Sequence, residues 1–352
     1  MMNEFELIRN LAGLENQVEK GNDKQNNSRS DVDETDPGIV VGIGDDAAVV
    51  RVAEGMDQVI SCDTMVEGVH FHRWTMRYSD IGYKALAANI SDMAAMGAVP
   101  KWFLVSASKP KTVSADRMRE IYRGLYACAR EYGVKIAGGD MTSSPQHLVL
   151  SVTIIGEVEK GRALLRSSAR PGDIVFVTGP LGGAAAGLDY LLQKKQEQLS
   201  EDDLPHEEAA IVRKHRRPKP CVTEGRILSQ FNQRVALNDI SDGLASEANE
   251  IAEASGCGMI IYEKEIPILQ EAEAYAQRTK GKIRDWVLFG GEEYTLLGTV
   301  PSSYFRQLKQ LFDDQGLQIY AIGETTDDFH EVRLKQLDGN VIRLEPGGYR
   351  HF

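Results

Sequence analysis

Apolar runs of period two alternate along this chain with stretches of helical spacing, so strand and helix take turns over most of its length. A short amphipathic helix is expected at residues 3–14, followed by a polar, apolar-poor and mobile insertion at 20–38. "IVVGIGDDAAVVRV" and "DQVISCDTMVEGVHF" then read as strands. "SDIGYKALAANISDMAAMG" (79–97) reads as a helix with Ser79 or Asp80 as N-cap and Gly97 as stop signal. "KWFLVSASKP" predicts a strand, "SADRMREIYRGLYACAREYG" a helix, and "VKIAGGDMT" and "HLVLSVTIIGEVEKG" two further strands, closing a first unit near residue 157.

"GRALLRSSARPGD" is a connection, and "IVFVTGPLGGAAAGLDYLL" opens a second unit as strand, glycine-rich turn and helix. The charged insertion "QKKQEQLSEDDLPHEE" (193–208) is expected to be exposed. "VALNDISDGLASEANEIAEASG" follows as strand, acidic turn and helix, then "MIIYEKEIP", "DWVLFGGEEYTLLGTV" and "IYAIGE" with a β-rich tail. The pattern predicts the α/β (α+β) class, with two mixed α/β domains at 1–157 and 158–352.

Composition narrows the partners. The 352 residues suffice for two domains, and a net charge of −12 disfavours nucleic acid. The basic cluster "RKHRRPK" (213–219) reads as a solvated helix end, with an anion contact as the lesser reading. Cys62, Cys128, Cys221 and Cys257 are far apart with no CxxC pair, which argues against a disulfide framework or structural zinc and fits a reducing cytoplasm. The start "MMNEFELIRNLAG" carries acids where a signal peptide would carry bases, and no run approaches the ~20 apolar residues of a membrane span. A soluble, cytoplasmic protein with no membrane partner is expected.

Four apolar stretches end on aspartate: "VGIGDD", "VISCDT", "VKIAGGD" and "VALNDISD". Burying unpaired carboxylates costs several kcal/mol each, so such residues must be solvated, paired with cations or bound to metal. Strand ends are also where a rigid scaffold presents functional groups. Asp92 adds a fifth case, because Ala85, Ala88, Asn89 and Asp92 form one helical face of small side chains. Singly, each aspartate reads as a turn-former or helix N-cap, and Asp242 stands where it would cap the helix that follows. Together they read as hard oxygen ligands, which select Mg²⁺, Mn²⁺ or Ca²⁺ over zinc. An acidic cluster repels a bare triphosphate and attracts its magnesium complex, which makes phosphoryl transfer the leading chemistry. Walker A, HRD and DFG motifs are absent. The turn "TGPLGG" (178–183) reads either as tight packing or as an anion-binding helix start.

The succession "GIGDDAA", "DTMVEGVHF", "YKALAANISDMAAMGA", "IAGGDMT", "GRALLRSSARPGD", "VTGPLG", "HRRPKP", "ISDGLASE", "GGEEYTL" and "GGYRHF" resembles the thiamine-monophosphate kinases from about residue 4 to 352, interrupted by the two polar insertions. The resemblance implies the aminoimidazole ribonucleotide synthetase-like fold, a homodimer whose N-terminal sheets pair, and ATP-dependent conversion of thiamine monophosphate to thiamine diphosphate. By motif it implies magnesium ligands at Asp46, Ser61, Cys62, Asp63, Asp92, Asp140, Asp239 and Asp242. It implies ATP contacts at Tyr122, Gly139, Asp140, Arg166 and Ser241, and thiamine-monophosphate contacts at His70, Glu292 and Tyr349. Asp45 is left to fix its turn or support the site. Two departures stand out: Cys62 replaces a common threonine, and "GGEEYTL" replaces "GGEDYEL", with Glu293 for aspartate and Thr295 for glutamate. No catalytic general base is expected, since a phosphate-monoester acceptor, with a second pKa of about 6, is mostly dianionic at neutral pH. The rivals are a related ATP-dependent enzyme with another acceptor, a magnesium phosphatase, and a catalytically silent nucleotide-binding regulator.

Overall fold

The computed structural model describes residues 39–41, 49–196 and 199–348. The expected helix at 3–14, the insertion at 20–38, Asp45, Asp46 and Tyr349 lie outside the described residues. β1 (Ile39–Val41) and β2 (Val49–Val50) pair antiparallel. The first unit continues with β3 (Met56–Val66), α1 (Tyr78–Ala95), β4 (Val99–Lys109), α2 (Ala115–Tyr132), β5 (Lys135–Ser143) and β6 (Val149–Glu159). Its sheet runs β3-β6-β4-β5, antiparallel except for the β4–β5 pair.

Strand alternation builds this unit's core. Leu150, Val152 and Ile154 of β6 are buried in one cluster with Ile81, Leu86 and Ile90 of α1 and Met118, Ile121 and Leu125 of α2, so both helices cover one face of the sheet. α2 begins at Ser114, whose Oγ accepts from Arg117 N, and stops at Gly133 in the left-handed region (φ 67°). The two helices touch backbone to backbone: a Cβ on Gly82 would lie 1.8 Å from the Ile121 carbonyl oxygen, and one on Gly124 would lie 1.8 Å from that of Ser79. α1 differs from expectation at its start. Its N-cap is Arg77, because Asp80 is buried in the first turn and binds Arg77 and Arg217 instead of capping.

The second unit comprises β7 (Asp173–Val177), α3 (Gly183–Lys194), α4 (His206–Arg216), α5 (Val222–Gln230), β8 (Ala236–Asp239), α6 (Leu244–Ser255), β9 (Gly258–Tyr262), α7 (Gln270–Thr279), α8 (Ile283–Phe289), β10 (Leu296–Pro301), α9 (Phe305–Asp314), β11 (Tyr320–Thr326), β12 (Val332–Lys335) and β13 (Val341–Arg343). Its sheet runs β13-β12-β9-β11-β7-β10-β8, with only β9–β12 parallel. α6 and α8 contribute to one apolar core; Leu228 of α5 and Leu308 and Phe312 of α9 contribute to another. Ala94 and Ala95 of α1 belong to that latter core, so α1 is shared between the two units. A helix buried on nearly every side needs no polar face, which accounts for its run of small residues.

Two polar stretches are less solvated than their composition predicts. In the 193–208 segment Leu199 is buried and Glu201 binds Arg77 and Arg216, so the segment is tied to the body rather than wholly exposed. The "RKHRRPK" stretch is not a solvated helix end. Arg216 is fully buried, donating to the carbonyls of Thr75 and Leu199, and His215 is buried beside it. Long-range partners, invisible in a local pattern, satisfy these charges.

Candidate active site

A cleft of about 1110 Å³ opens between the two units, and β3, α1, α3, the turn after β8 and the segment after α8 line it. Three carboxylates reach it from three elements: Asp63 from β3, Asp92 from α1 and Asp239 from the end of β8. Each is held locally. Asp63 N donates to Asn89 Oδ1 (3.1 Å), Ser61 Oγ donates to Asp92 Oδ2 (2.5 Å) and Ser91 Oγ donates to Asp239 Oδ2 (2.7 Å). α1 therefore fixes all three through Asn89, Ser91 and its own Asp92.

Electrostatics show how little positive charge they share. Burial, then the charges of Asp239 and Asp63, pushes Asp92 up to about 7; burial first and Asp63 later push Asp239 up to about 6. Burial and Asp242 raise Asp63 as well. Arg166 lowers Asp92 and Asp239 only in part, while its Nε donates to Asn238 Oδ1 (3.0 Å) and its Nη1 lies 3.3 Å from Glu250. Among the described residues no three His, Cys, Asp or Glu side chains close around a single point as a metal cage. The carboxylates share one cleft and feel one another's charge, an arrangement suited to cations whose other ligands are water and phosphate.

Asp242 and Ser241 also line the cleft. Asp242 is not the cap of α6: Gly243 holds that position, and Glu247 reaches back so that its Oε1 accepts from Asp242 N (2.8 Å). Cys62 lines the cleft with its thiol 3.6 Å from Ser151 Oγ, whereas Ser61 acts on Asp92 from beside it. His70 lines it too; its Nδ1 accepts from Val66 N (3.0 Å), which leaves the ring proton on Nε2.

The structure does not bring every expected residue here. Gly139 and Asp140 lie on β5, and the sheet order puts β3 and β5 at opposite edges, three strand spacings or about 14 Å apart. Tyr122 stands near Asp140, whose charge joins burial in pushing the phenol up to about 12. Gly139 has a structural reason for being glycine, since a Cβ would lie 2.3 Å from the Val105 carbonyl oxygen. Arg166 is not among the residues lining the cleft; its guanidinium lies beside Asn238 and Glu250.

The turn "TGPLGG" already holds its anion. Gly182, at φ 90°, caps α3, and Ala184 N donates to Glu293 Oε1 (3.0 Å). Burial raises the Glu293 carboxyl, opposed by Lys214 and by the N–H groups at the helix start. The reading of this turn as a site for an external anion is corrected, because a side chain of the same chain occupies it.

Two residues that meet Glu292, Lys84 and His215, are not singled out from the sequence. Glu292, in the left-handed region at φ 63°, lines the cleft and places Oε2 2.5 Å from Lys84 Nζ and 3.3 Å from His215 Nδ1. Lys84 and His215 are both buried, and burial pulls the pKa of each down; Lys84 and Arg216 lower His215 further, leaving a neutral imidazole. The spacing of four from Lys84 through Ala88 to Asp92 puts Lys84 on the face of α1 that carries Asp92, whereas no local pattern marks His215.

Comparison with known proteins now decides the family. Residues 44–158 match the family described as AIR synthase related protein, N-terminal domain, and residues 170–335 match the corresponding C-terminal domain. Thiamine-monophosphate kinase of Bacillus subtilis (strain 168) is 44% identical over 314 residues, covering 89% of this chain and 94% of that protein. The chain belongs to the thiamine-monophosphate kinase family. The Escherichia coli (strain K12) thiamine-monophosphate kinase is 34% identical over 331 residues, covering 94% of this chain and 95% of its own. The crystal structure of the thiamine-monophosphate kinase from Stenotrophomonas maltophilia K279a matches at TM-score 0.77, with 34% identity over 86% of this chain and 92% of that one. AaThiL complexed with AMPPCP and TMP matches at TM-score 0.74, with 30% identity over 100% of this chain and 97% of that one. In this thiamine-monophosphate kinase family member, the Glu293 departure keeps a carboxylate, and that carboxylate anchors the start of α3.

Proposed function

We propose that the chain transfers the γ-phosphoryl group of ATP to thiamine monophosphate, forming thiamine diphosphate by direct in-line displacement. The observation that carries this reading is the convergence of Asp63, Asp92 and Asp239 in one cleft with their mutual repulsion only partly relieved. Mg²⁺ fits the oxygen donors of the cleft, with Asp63, Asp92, Asp239 and Asp242 as ligands, Cys62 through its backbone carbonyl, and Ser61 and Asp46 completing the proposed set; Asp140, on the far edge of the first sheet, would hold an ion apart from these. When bound, the ion screens the negative charge of the phosphates. Ser91 and Asn89 hold the aspartates in place, and Arg166 adds positive charge near them. Ser241 faces ATP from the second unit, while Tyr122, Gly139 and Asp140 contact ATP along the far edge of the first sheet. His70, Glu292 and Tyr349 take the acceptor. No residue acts as general base, because the acceptor oxygen is already ionised. The reading includes a cytoplasmic homodimer of two-domain chains (1–157 and 158–352); among the described residues no helix is long and apolar enough to cross a membrane.

Purified protein tests the reading by ADP release with ATP, thiamine monophosphate and increasing Mg²⁺. Release dependent on both the acceptor and the ion is expected. Asp63→Asn, Asp92→Asn and Asp239→Asn are each expected to cut turnover at least tenfold, the order seen when a charge-stabilising group is removed. Wild-type turnover in all three would reject the metal-site assignment; phosphate release without acceptor would favour a phosphatase.

A further inference from the structure

On the cleft wall, Glu292 is the meeting point of an internal polar cluster. Its backbone is held in the left-handed region, where non-glycine residues are uncommon, by the bond from Glu292 N to Ser241 O (2.7 Å) and the nearby bond from Tyr294 N to Ile240 O (2.9 Å). Its Oε2 faces inward onto Lys84 Nζ at 2.5 Å. Lys84 has no exposed surface, and Glu292 is its only ion-pair partner among the described residues. His215 Nδ1 approaches the same oxygen at 3.3 Å. Burial of that kind is costly for an ammonium unless a carboxylate accompanies it, so the pair is one unit.

This placement divides the carboxylate. Oε2 is engaged in the interior, and Oε1 is left for the cleft, with the side chain part-exposed. Lys84 also lies two helical turns from Asp92 on the same face of α1, so one rigid helix sets the spacing between the acceptor end and the aspartate end of the cleft. We propose that Lys84 is a positioning residue for acceptor binding, fixing the orientation of Glu292 so that Oε1 meets the cationic ring portion of thiamine monophosphate. This rests on the proposed reaction and on Glu292 contacting the acceptor, and assigns Lys84 a role that the aspartates do not share.

The test uses the full-length protein and steady-state rates with each substrate varied in turn. Lys84→Met is expected to raise the KM for thiamine monophosphate about tenfold or more, the order for a lost hydrogen bond between charged groups, while the KM for ATP stays within about twofold. Lys84→Arg, which keeps the charge, should recover part of the acceptor KM. In a Glu292→Gln background, Lys84→Met should raise the acceptor KM no further, since the carboxylate it positions is gone. Calorimetric binding of a non-hydrolysable ATP analogue with Mg²⁺ reports whether each variant is folded, and Lys84→Gln replaces Lys84→Met if that variant is not. Equal rises in both KM values, an unchanged acceptor KM, or loss of folding in both Lys84→Met and Lys84→Gln would overturn the proposal. If the unmodified protein makes no thiamine diphosphate, the reaction itself is wrong; if it does and the variants behave in one of those ways, only the role of Lys84 is.

Discussion

His215 is neutral in the folded protein because burial, Lys84 and Arg216 all oppose its charge, and its pKa falls well below 6.5. The unfolded chain therefore binds the extra proton first as pH drops. This residue's contribution is fully present above about pH 6.5 and is lost below it at up to about 1.4 kcal/mol per pH unit, until the folded-state pKa is reached. Urea unfolding at pH 7.5 and 5.5 should show the unmodified protein losing about 1.4 kcal/mol more than His215→Asn over that interval; equal losses would show that His215 is not held neutral. Asp63, Asp92 and Asp239 were legible in the sequence because each sits at a strand end or on a face of small residues. Lys84 and His215 were not, since a lysine or histidine in a helix gives no local sign that its partner lies 208 or 77 positions away at Glu292.

At the scale of elements, the helices were legible where the cap is local and illegible where it is not. Ser114 and Gly133 bound α2 as their residue types require. Asp80 and Asp242 have the right chemistry for caps and are used elsewhere, one in a buried ion pair and one on the cleft wall. α3 shows the converse, because its N-terminus is satisfied by Glu293, 109 positions away from Ala184. Glu293→Ala leaves those buried N–H groups without an acceptor and should cost about 2 kcal/mol in urea unfolding. A loss below about 0.5 kcal/mol would mean that the carboxylate does not stabilise this helix start.

Across the whole molecule, the two sheets with their helices followed from periodicity, but their mutual orientation did not, because charged side chains distant in sequence tie them together. Arg77 and Arg217 hold Asp80, Arg77 and Arg216 hold Glu201, and Arg216 donates to the carbonyls of Thr75 and Leu199. Arg216→Met strands two buried carbonyls and leaves Glu201 with Arg77 alone, and is expected to cost about 3 kcal/mol in the same unfolding experiment. A cost under about 1 kcal/mol would show that this network does not secure the two units. The cleft whose walls it aligns is where the proposed reaction takes place, and phosphorus NMR of the protein with ATP, Mg²⁺ and thiamine monophosphate observes that reaction directly. The account predicts paired resonances of thiamine diphosphate growing in step with ADP; ATP left intact, or inorganic phosphate appearing while thiamine monophosphate persists, would contradict it.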